Sequence, residues 1–419
     1  MELPMSRYLS LRRLFARWIE QPPSGVVEAS NFRQGDTFSV DVCIVTNCAF
    51  LGGNASTTVT ELEAFSAAGL TAMVVHCPVK RSRWKRRWVA ERFLPFMDNI
   101  VPAHNVKHIK CQTLIARGPR MVMTPVFRDL MKRFDAERAL YVVNNSAWSE
   151  NGKPLFNWPA LHRRVAKIGF PHSNVYPISP IIREECRRVL SKYAGPDLLA
   201  PIDWPPAFKI EDFPFAPRTH LTAPVVIGRH GRDHEGKWLE DAGELRAAYP
   251  CRSDIVVKIM GGAETVRKRL GALPSNWAVE PFGTAGVGDY LSQLDVFVNF
   301  PARTRDEAFG RTIIEAVLSG LPVILPPAFE PTFGDLALYC EPHQVAGLID
   351  RLVSDDQGRI HYINACRREA AERFGSHTLL KRLKTRDTDG TYSPTLDGGS
   401  QAFRRRMMGE SAPETNVTG

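Results

Sequence analysis

From residue 41 onward, short apolar runs alternate with stretches whose apolar residues recur at helical spacing. Residues 41–47 (DVCIVTN) read as a buried strand. They are followed by a turn at Leu51-Gly52-Gly53-Asn54 and by a helix from Thr57 to Ala68, which Gly69 ends. Residues 71–77 (TAMVVHC) form the next strand and complete a βαβ unit, the module of a parallel sheet. Further strands are predicted at 108–114, 139–144 and 174–178, and helices at 121–134 and 181–193. A proline-rich stretch from Pro196 to Pro224 reads as a linker. The alternation then resumes, with strands at 224–228, 254–260, 277–281, 295–299 and 322–325. Helices are predicted at 237–248, 263–271, 287–293, 310–319, 343–354 and 360–373.

Two successive α/β units imply two Rossmann-like domains facing across a cleft, with ligands at the carboxyl ends of the strands. The expected division is a basic amphipathic segment over 1–25, an N-terminal Rossmann-like domain over 26–200 and a linker over 201–223. A C-terminal Rossmann-like domain over 224–375 follows, and then a helix remnant and disordered tail over 376–419. A chain of 419 residues, 44% apolar and 24% charged, fits two globular domains. No apolar run reaches the roughly 18 residues a membrane-spanning helix needs, and the N-terminus lacks the pattern of a signal peptide. The eight cysteines show no metal or redox spacing, so free buried thiols in a reducing cytoplasm are expected.

The net charge of +9 is unevenly spread. Residues 1–200 hold 28 Lys+Arg against 16 Asp+Glu, whereas the remainder holds 26 against 29. An anionic partner is therefore expected at the first half. Residues 80–92 place Arg83, Trp84, Lys85, Arg86, Arg87 and Trp88 in one basic, indole-bearing run. Residues 6–20 put Tyr8, Leu11, Leu14, Phe15, Trp18 and Ile19 on one helical face. Both features suit an anionic membrane surface or a polyanionic glycan, and peripheral attachment at the cytoplasmic leaflet is the expectation. Nucleic acid is not expected, since the basic run accompanies no recognition motif.

The most informative segment is 306–325, DEAFGRTIIEAVLSGLPVIL. A helix beginning near Gly310 and ending at Gly320 would turn backbone N–H groups near Ala308, Phe309 and Gly310 toward an anion such as a diphosphate. Glu307 and Glu315, eight residues apart, would lie roughly 12 Å apart along a helix axis, about the span from the hexose to the ribose of a nucleotide sugar. Carboxylates suit vicinal hydroxyls. Two glutamates at this spacing specify nothing alone, and the surrounding residues supply the specificity.

With those surroundings the chain resembles the retaining GT-B-fold glycosyltransferases, in particular the large family-four group. Their motif, Glu-x-Phe-Gly-x-x-x-x-Glu-Ala followed by Gly-x-Pro-Val, is matched by Glu307, Phe309, Gly310, Glu315, Ala316, Gly320, Pro322 and Val323. The resemblance covers residues 220–375 well and is weak before 200. It implies transfer of a hexose-type sugar from a nucleoside-diphosphate sugar to a glycan or lipid-linked acceptor, in cell-surface polysaccharide or glycoconjugate synthesis. It further implies retention of anomeric configuration with neither cofactor nor metal.

By the same resemblance, in the segment from Ile227 to Trp238, Arg229 and Lys237 hold the departing diphosphate beside Gly228. Gly52 and Gly53 let backbone approach the donor phosphates or the acceptor, and Gly283 lies near the base. The family's Gly-Gly-x-Glu is replaced by Gly-Gly-Asn-Ala here, so this loop offers no carboxylate. Structural roles are equally open for Asp295, for Pro281-Phe282-Gly283 and for Gly261-Gly262. No general base stands out among His76, His104, His108, His172, His230 and His234. A GT-B isomerase or phosphorylase and a non-catalytic polyanion binder are the competing readings.

Overall fold

The computed structural model describes residues 22–79, 86–149, 152–281, 286–304, 307–384 and 396–410. Two six-stranded sheets dominate it. Strands β2 (Thr37–Thr46), β3 (Ala72–His76), β5 (Ile100–Pro102), β6 (His108–Arg117), β7 (Phe134–Val143) and β8 (Ser173–Pro177) make the first. Strands β9 (Val225–His230), β10 (Ile255–Met260), β11 (Trp277–Glu280), β12 (Val296–Val298), β13 (Val323–Leu325) and β14 (Leu338–Tyr339) make the second. Two short strands, β1 (Val26–Glu28) and β4 (Trp88–Ala90), pair antiparallel.

The sheet orders are β5-β3-β2-β6-β7-β8 and β11-β10-β9-β12-β13-β14. Counted within each unit, both run 3-2-1-4-5-6, the order of the doubly wound nucleotide-binding fold. The pairings β2–β3, β2–β6, β3–β5 and β6–β7 are parallel, as are all five of the second sheet. Central strands covered by helices on both faces need apolar residues at successive positions. Val42–Thr46 and Val296–Val298 are accordingly buried throughout.

The chain divides into two compact units. The first comprises the residues through Asn144, Phe156–Tyr176 and Val189–Ala200; the second takes Asn145–Leu155, Pro177–Arg188 and everything from Pro201. The proline-rich stretch is therefore no free linker. Its aromatic residues give it a packed place in the second unit, where Trp204 and Phe208 are fully buried. Phe208 lies edge-on to Phe374, and its N–H donates to the Phe374 carbonyl at 2.8 Å.

The expected disordered tail also holds an ordered element, the helix Gly398–Met408, capped by the Asp397 carboxylate on Ser400 N–H at 2.9 Å. Apolar residues on one face explain it, since Phe403 and Met407 are 2% exposed and Phe403 packs on Tyr362 at 5.3 Å. Two further differences are local. The expected helix at 121–134 is two short ones, Pro119–Val122 and Pro125–Met131, because Thr124 caps a new start ahead of Pro125. The helix Trp158–Ile168 was not foreseen, although Asn157 caps it and Gly169 ends it.

Phe403→Ala should lower the unfolding free energy in urea by about 3 kcal/mol, the usual cost of emptying a buried aromatic site. A loss below about 0.5 kcal/mol, the level of a surface substitution, would show that this helix is not docked.

Candidate active site in the C-terminal unit

In a 3-2-1-4-5-6 sheet, the connections leaving the first and fourth strands diverge to opposite faces and open a crevice at their carboxyl ends. In the second unit those strands are β9 and β12. Strand β9 ends in Arg229 and His230, and the segment holding Glu307 to Gly310 follows β12. The two motifs read from sequence thus meet at the topological switch point.

Gly228 holds its place for packing reasons. A Cβ there would lie 2.2 Å from the Lys258 carbonyl oxygen and 2.9 Å from the Tyr290 hydroxyl. The Tyr290 hydroxyl sits 2.7 Å from the Arg229 carbonyl and 2.8 Å from that of Lys258, so its proton is shared across the strand pair. The Arg229 side chain is only 3% exposed. Its guanidinium lies 4.4 Å over the Trp238 ring and donates through Nη1 to the Lys237 carbonyl. Arg229, expected to grip a diphosphate, is therefore committed to shaping the loop that carries Lys237.

That loop is pinned from two more sides. His234 Nδ1 accepts from Gly236 N–H at 3.2 Å, which sets the turn Glu235–Lys237. The Asp233 carboxylate accepts from Trp238 Nε1–H and from the Thr265 N–H, each at 2.9 Å. Burial pushes the Asp233 pKa up, but the hydrogen bonds it accepts outweigh that and hold it below its ordinary value. Gly261, with φ of 123°, passes so close to Gly231 that a Cβ would lie 1.8 Å from the Gly231 carbonyl oxygen. So fixed, Lys237 places its ammonium on the Glu307 carboxylate, with the two side chains 31% and 18% exposed.

The helix of the motif runs Arg311–Leu318, with Gly310 as its left-handed N-cap at φ 75° and ψ 63°. Ala308 and Phe309 therefore precede the helix instead of forming its first turn, and Glu307 lies in the approaching loop. The expected spacing of two glutamates along one helix axis does not hold. A side chain at Gly310 would be strained by its φ and would meet Ile313 Cδ1 at 2.8 Å. Phe309 is a core residue, edge-on to Phe333 at 5.7 Å and Phe374 at 5.5 Å.

Glu315, inside the helix, reaches His230 Nε2 at 3.3 Å with one oxygen and Arg311 Nε at 3.5 Å with the other. Arg311 in turn lies 4.2 Å over the Phe208 ring. The His230–Glu315 approach is close but not aligned as a hydrogen bond, so the buried Nε2 has no hydrogen-bond partner among the described residues. Burial lowers the His230 pKa, opposed by the Glu315 charge, so the imidazole is neutral near pH 7.

The remaining expected residues fall elsewhere. Gly283 lies outside the described residues. Asp295 serves the sheet, accepting from Val226 N–H at 2.7 Å and pairing with Arg218 at 2.8 Å. In the first unit, Gly52, with φ of 97°, precedes a helix that begins at Gly53, at the carboxyl end of β2. The side chain of Asn54, in the loop that lacks the family's carboxylate, bridges Thr46 Oγ1 at 3.0 Å and Asn144 Nδ2 at 3.1 Å.

Among the candidate histidines, His76 accepts from Cys48 N–H at 3.1 Å in the core. Arg83, Trp84 and Lys85, and the segment 6–20, lie outside the described residues. Arg86 is half-buried and Arg87 exposed. Trp88, expected at an interfacial surface, is a buried residue of β4 facing Glu28 in the ribbon with β1, which corrects that expectation. Sequence reasoning missed Asp233 and Trp238, although both stand in the quoted Ile227–Trp238 segment and their chemistry is what a fixed loop requires.

No family model matches the chain, and no curated protein matches it. Solved structures do. The Anabaena protein HepE, solved in complex with UDP and glucose, is 15% identical with a TM-score of 0.56, over 82% of this chain and 98% of that one. Sucrose-phosphate synthase from Thermosynechococcus elongatus is 15% identical with a TM-score of 0.55, over 83% and 97%. An alpha-glucosyltransferase, solved with UDP and a 13-mer DNA containing an HMU base, is 11% identical with a TM-score of 0.57, over 83% and 99%. Two consecutive Rossmann-like units in this likeness define the GT-B fold.

Asp233→Asn should unfasten the Lys237 loop, because the amide can accept from Trp238 but cannot serve both donors as the carboxylate does. A loss of about 1.5–3 kcal/mol in urea and a changed Trp238 fluorescence are expected. The Asp233 pKa is depressed in the folded state, so its contribution is complete above the ordinary value of 3.8 and fades as pH falls through the lower folded value. If wild type and Asp233→Asn show the same stability difference at pH 7 and at pH 2, the carboxylate is not the fastener.

Proposed function

We propose that the chain is a glycosyltransferase that moves a hexose-type sugar from a nucleoside-diphosphate sugar to a glycan or lipid-linked acceptor. The observation that carries this reading is the Lys237 ammonium on the Glu307 carboxylate, at the switch point between β9 and β12. An ammonium held there can take the charge that develops on a departing diphosphate. A carboxylate beside it can accept from sugar hydroxyls, and Glu315 from ribose hydroxyls. HepE, of the same fold, was also solved with UDP-glucose, which supports a nucleotide sugar as the ligand of this site.

In the proposed reaction the bond from the anomeric carbon to the diphosphate oxygen breaks while the acceptor hydroxyl attacks the same face. The hydroxyl proton passes to the departing phosphate oxygen, so configuration is retained and no side chain need act as base. Lys237 binds the leaving group, Glu307 orients the sugar and Arg229 acts through the loop as a positioning residue. The charge on the leaving group is assigned to protein cations in place of a metal. The proposed setting is cell-surface polysaccharide or glycoconjugate synthesis at the cytoplasmic face of a membrane. No helix among the described residues is long and apolar enough to cross one.

A thermal-shift screen against nucleoside-diphosphate sugars should give a stabilising donor, and that donor should be turned over with a suitable acceptor. Glu307→Ala should then reduce kcat by roughly 100-fold or more, the scale of losing one key polar contact to the transition state. Lys237→Ala should lower kcat and raise KM, with a combined loss of roughly 10- to 100-fold or more in kcat/KM. Wild-type turnover in both variants, with the fold intact by circular dichroism, would exclude the reading.

A further inference from the structure

The N-terminal unit has a cavity of about 290 Å³ whose walls share no residue with the site just described. Its cationic wall is Arg86 and Arg133, joined by the ring of His104. Pro78, Val126 and Leu130 supply an apolar floor. Two of these walls follow directly on the carboxyl ends of β3 and β5, since Pro78 stands two residues past His76 and His104 two past Pro102. Arg133 stands immediately before β7, so the walls come from three separate strand connections.

We propose that this cavity is a binding site for a phosphate ester. Guanidinium groups present planar pairs of donors that match phosphate oxygens. Arg133 is held in place by Nη1 donating to the Val106 carbonyl at 2.7 Å, and among the described residues its other donors are open to a ligand. The acid in the wall, Asp129, does not oppose an anion strongly, because Arg128 at 3.1 Å and Lys132 at 3.6 Å balance its charge. Burial and the neighbouring guanidiniums of Arg86 and Arg87 lower the His104 pKa. An anion seated among these groups would offset that positive field and raise it again.

The volume is near the lower end for small-molecule sites, large enough for a phosphorylated head group. If the transferase reading holds, on which this last step rests, the phosphate ester belongs to the acceptor. Part of the excess of basic residues in the first half then has a specific use in Arg86 and Arg133.

The test follows His104 by NMR in the full chain labelled at its 11 histidines, assigned with His104→Gln. Inorganic phosphate and glycerol phosphate should shift the His104 signals saturably and raise its titration midpoint. Arg86→Gln should weaken both ligands about tenfold, as expected for one charge-assisted contact, and Arg86→Gln with Arg133→Gln should abolish binding. Arg86→Gln alone suffices should the double variant not fold. Vesicles of phosphatidic acid in phosphatidylcholine, against phosphatidylcholine alone, separate a lipid head group from a soluble ester.

No saturable shift, or equal affinity in wild type and Arg86→Gln, would overturn the proposal. Stabilisation by UDP, measured on the same samples, should not change in Arg86→Gln. UDP binding without phosphate binding would remove this site and keep the transferase reading, and the converse would do the opposite.

Discussion

The buried guanidinium of Arg229 is the point on which the C-terminal site turns. A cation taken out of water must be repaid locally, by hydrogen-bond acceptors or by a polarisable face. Here the Lys237 carbonyl and the Trp238 ring do both, and each belongs to the loop that follows β9. The loop therefore cannot drift without stranding a cation in the core. Asp233 and Gly231 of the same loop meet Thr265 and Gly261 of the neighbouring strand connection, which completes the enclosure. The outcome is a lysine whose flexible stem starts from a fixed backbone, which is what a pre-organised charge requires.

The second motif is arranged by a different economy. Phe309 is drawn into a cluster with Phe333 and Phe374, and this sets the path of the backbone on both sides of it. Glu307 is left on the open side and Gly310 turns the chain into the helix that carries Glu315. Core packing and site geometry are the same fact at these positions, since the side chains that point inward decide where the acidic ones emerge. His230 adds a neutral ring against Glu315 without completing a hydrogen bond, so the pair retains unspent polar capacity within the crevice.

Much of this was legible in the sequence, for identifiable reasons. Buried parallel strands leave dense apolar runs, and those at 41–47, 254–260 and 295–299 appear within a few residues of their expected bounds. The glycine at 310 and the two motif glutamates were visible because backbone conformation and charge leave marks on residue type. What could not be read was the direction of side chains. Arg229 and Lys237 look alike as basic residues of one segment, yet one is buried as a fastener and the other is part-exposed on Glu307. Trp88 looked interfacial beside its arginines, and only the ribbon with β1 reveals it as core. The helix at Gly398–Met408 was hidden in a polar composition because its few apolar residues fall on a single stripe.

The closure of the second unit carries its own consequence. Ser376 Oγ bonds to the Phe208 carbonyl across a separation of 168 residues, and Arg382 to that of Pro205 across 177. A ribosome delivers Trp204 and Phe208 long before their partners exist. For most of the translation of this unit, these aromatic rings travel without the surface that will cover them, which exposes apolar area until the last segments arrive.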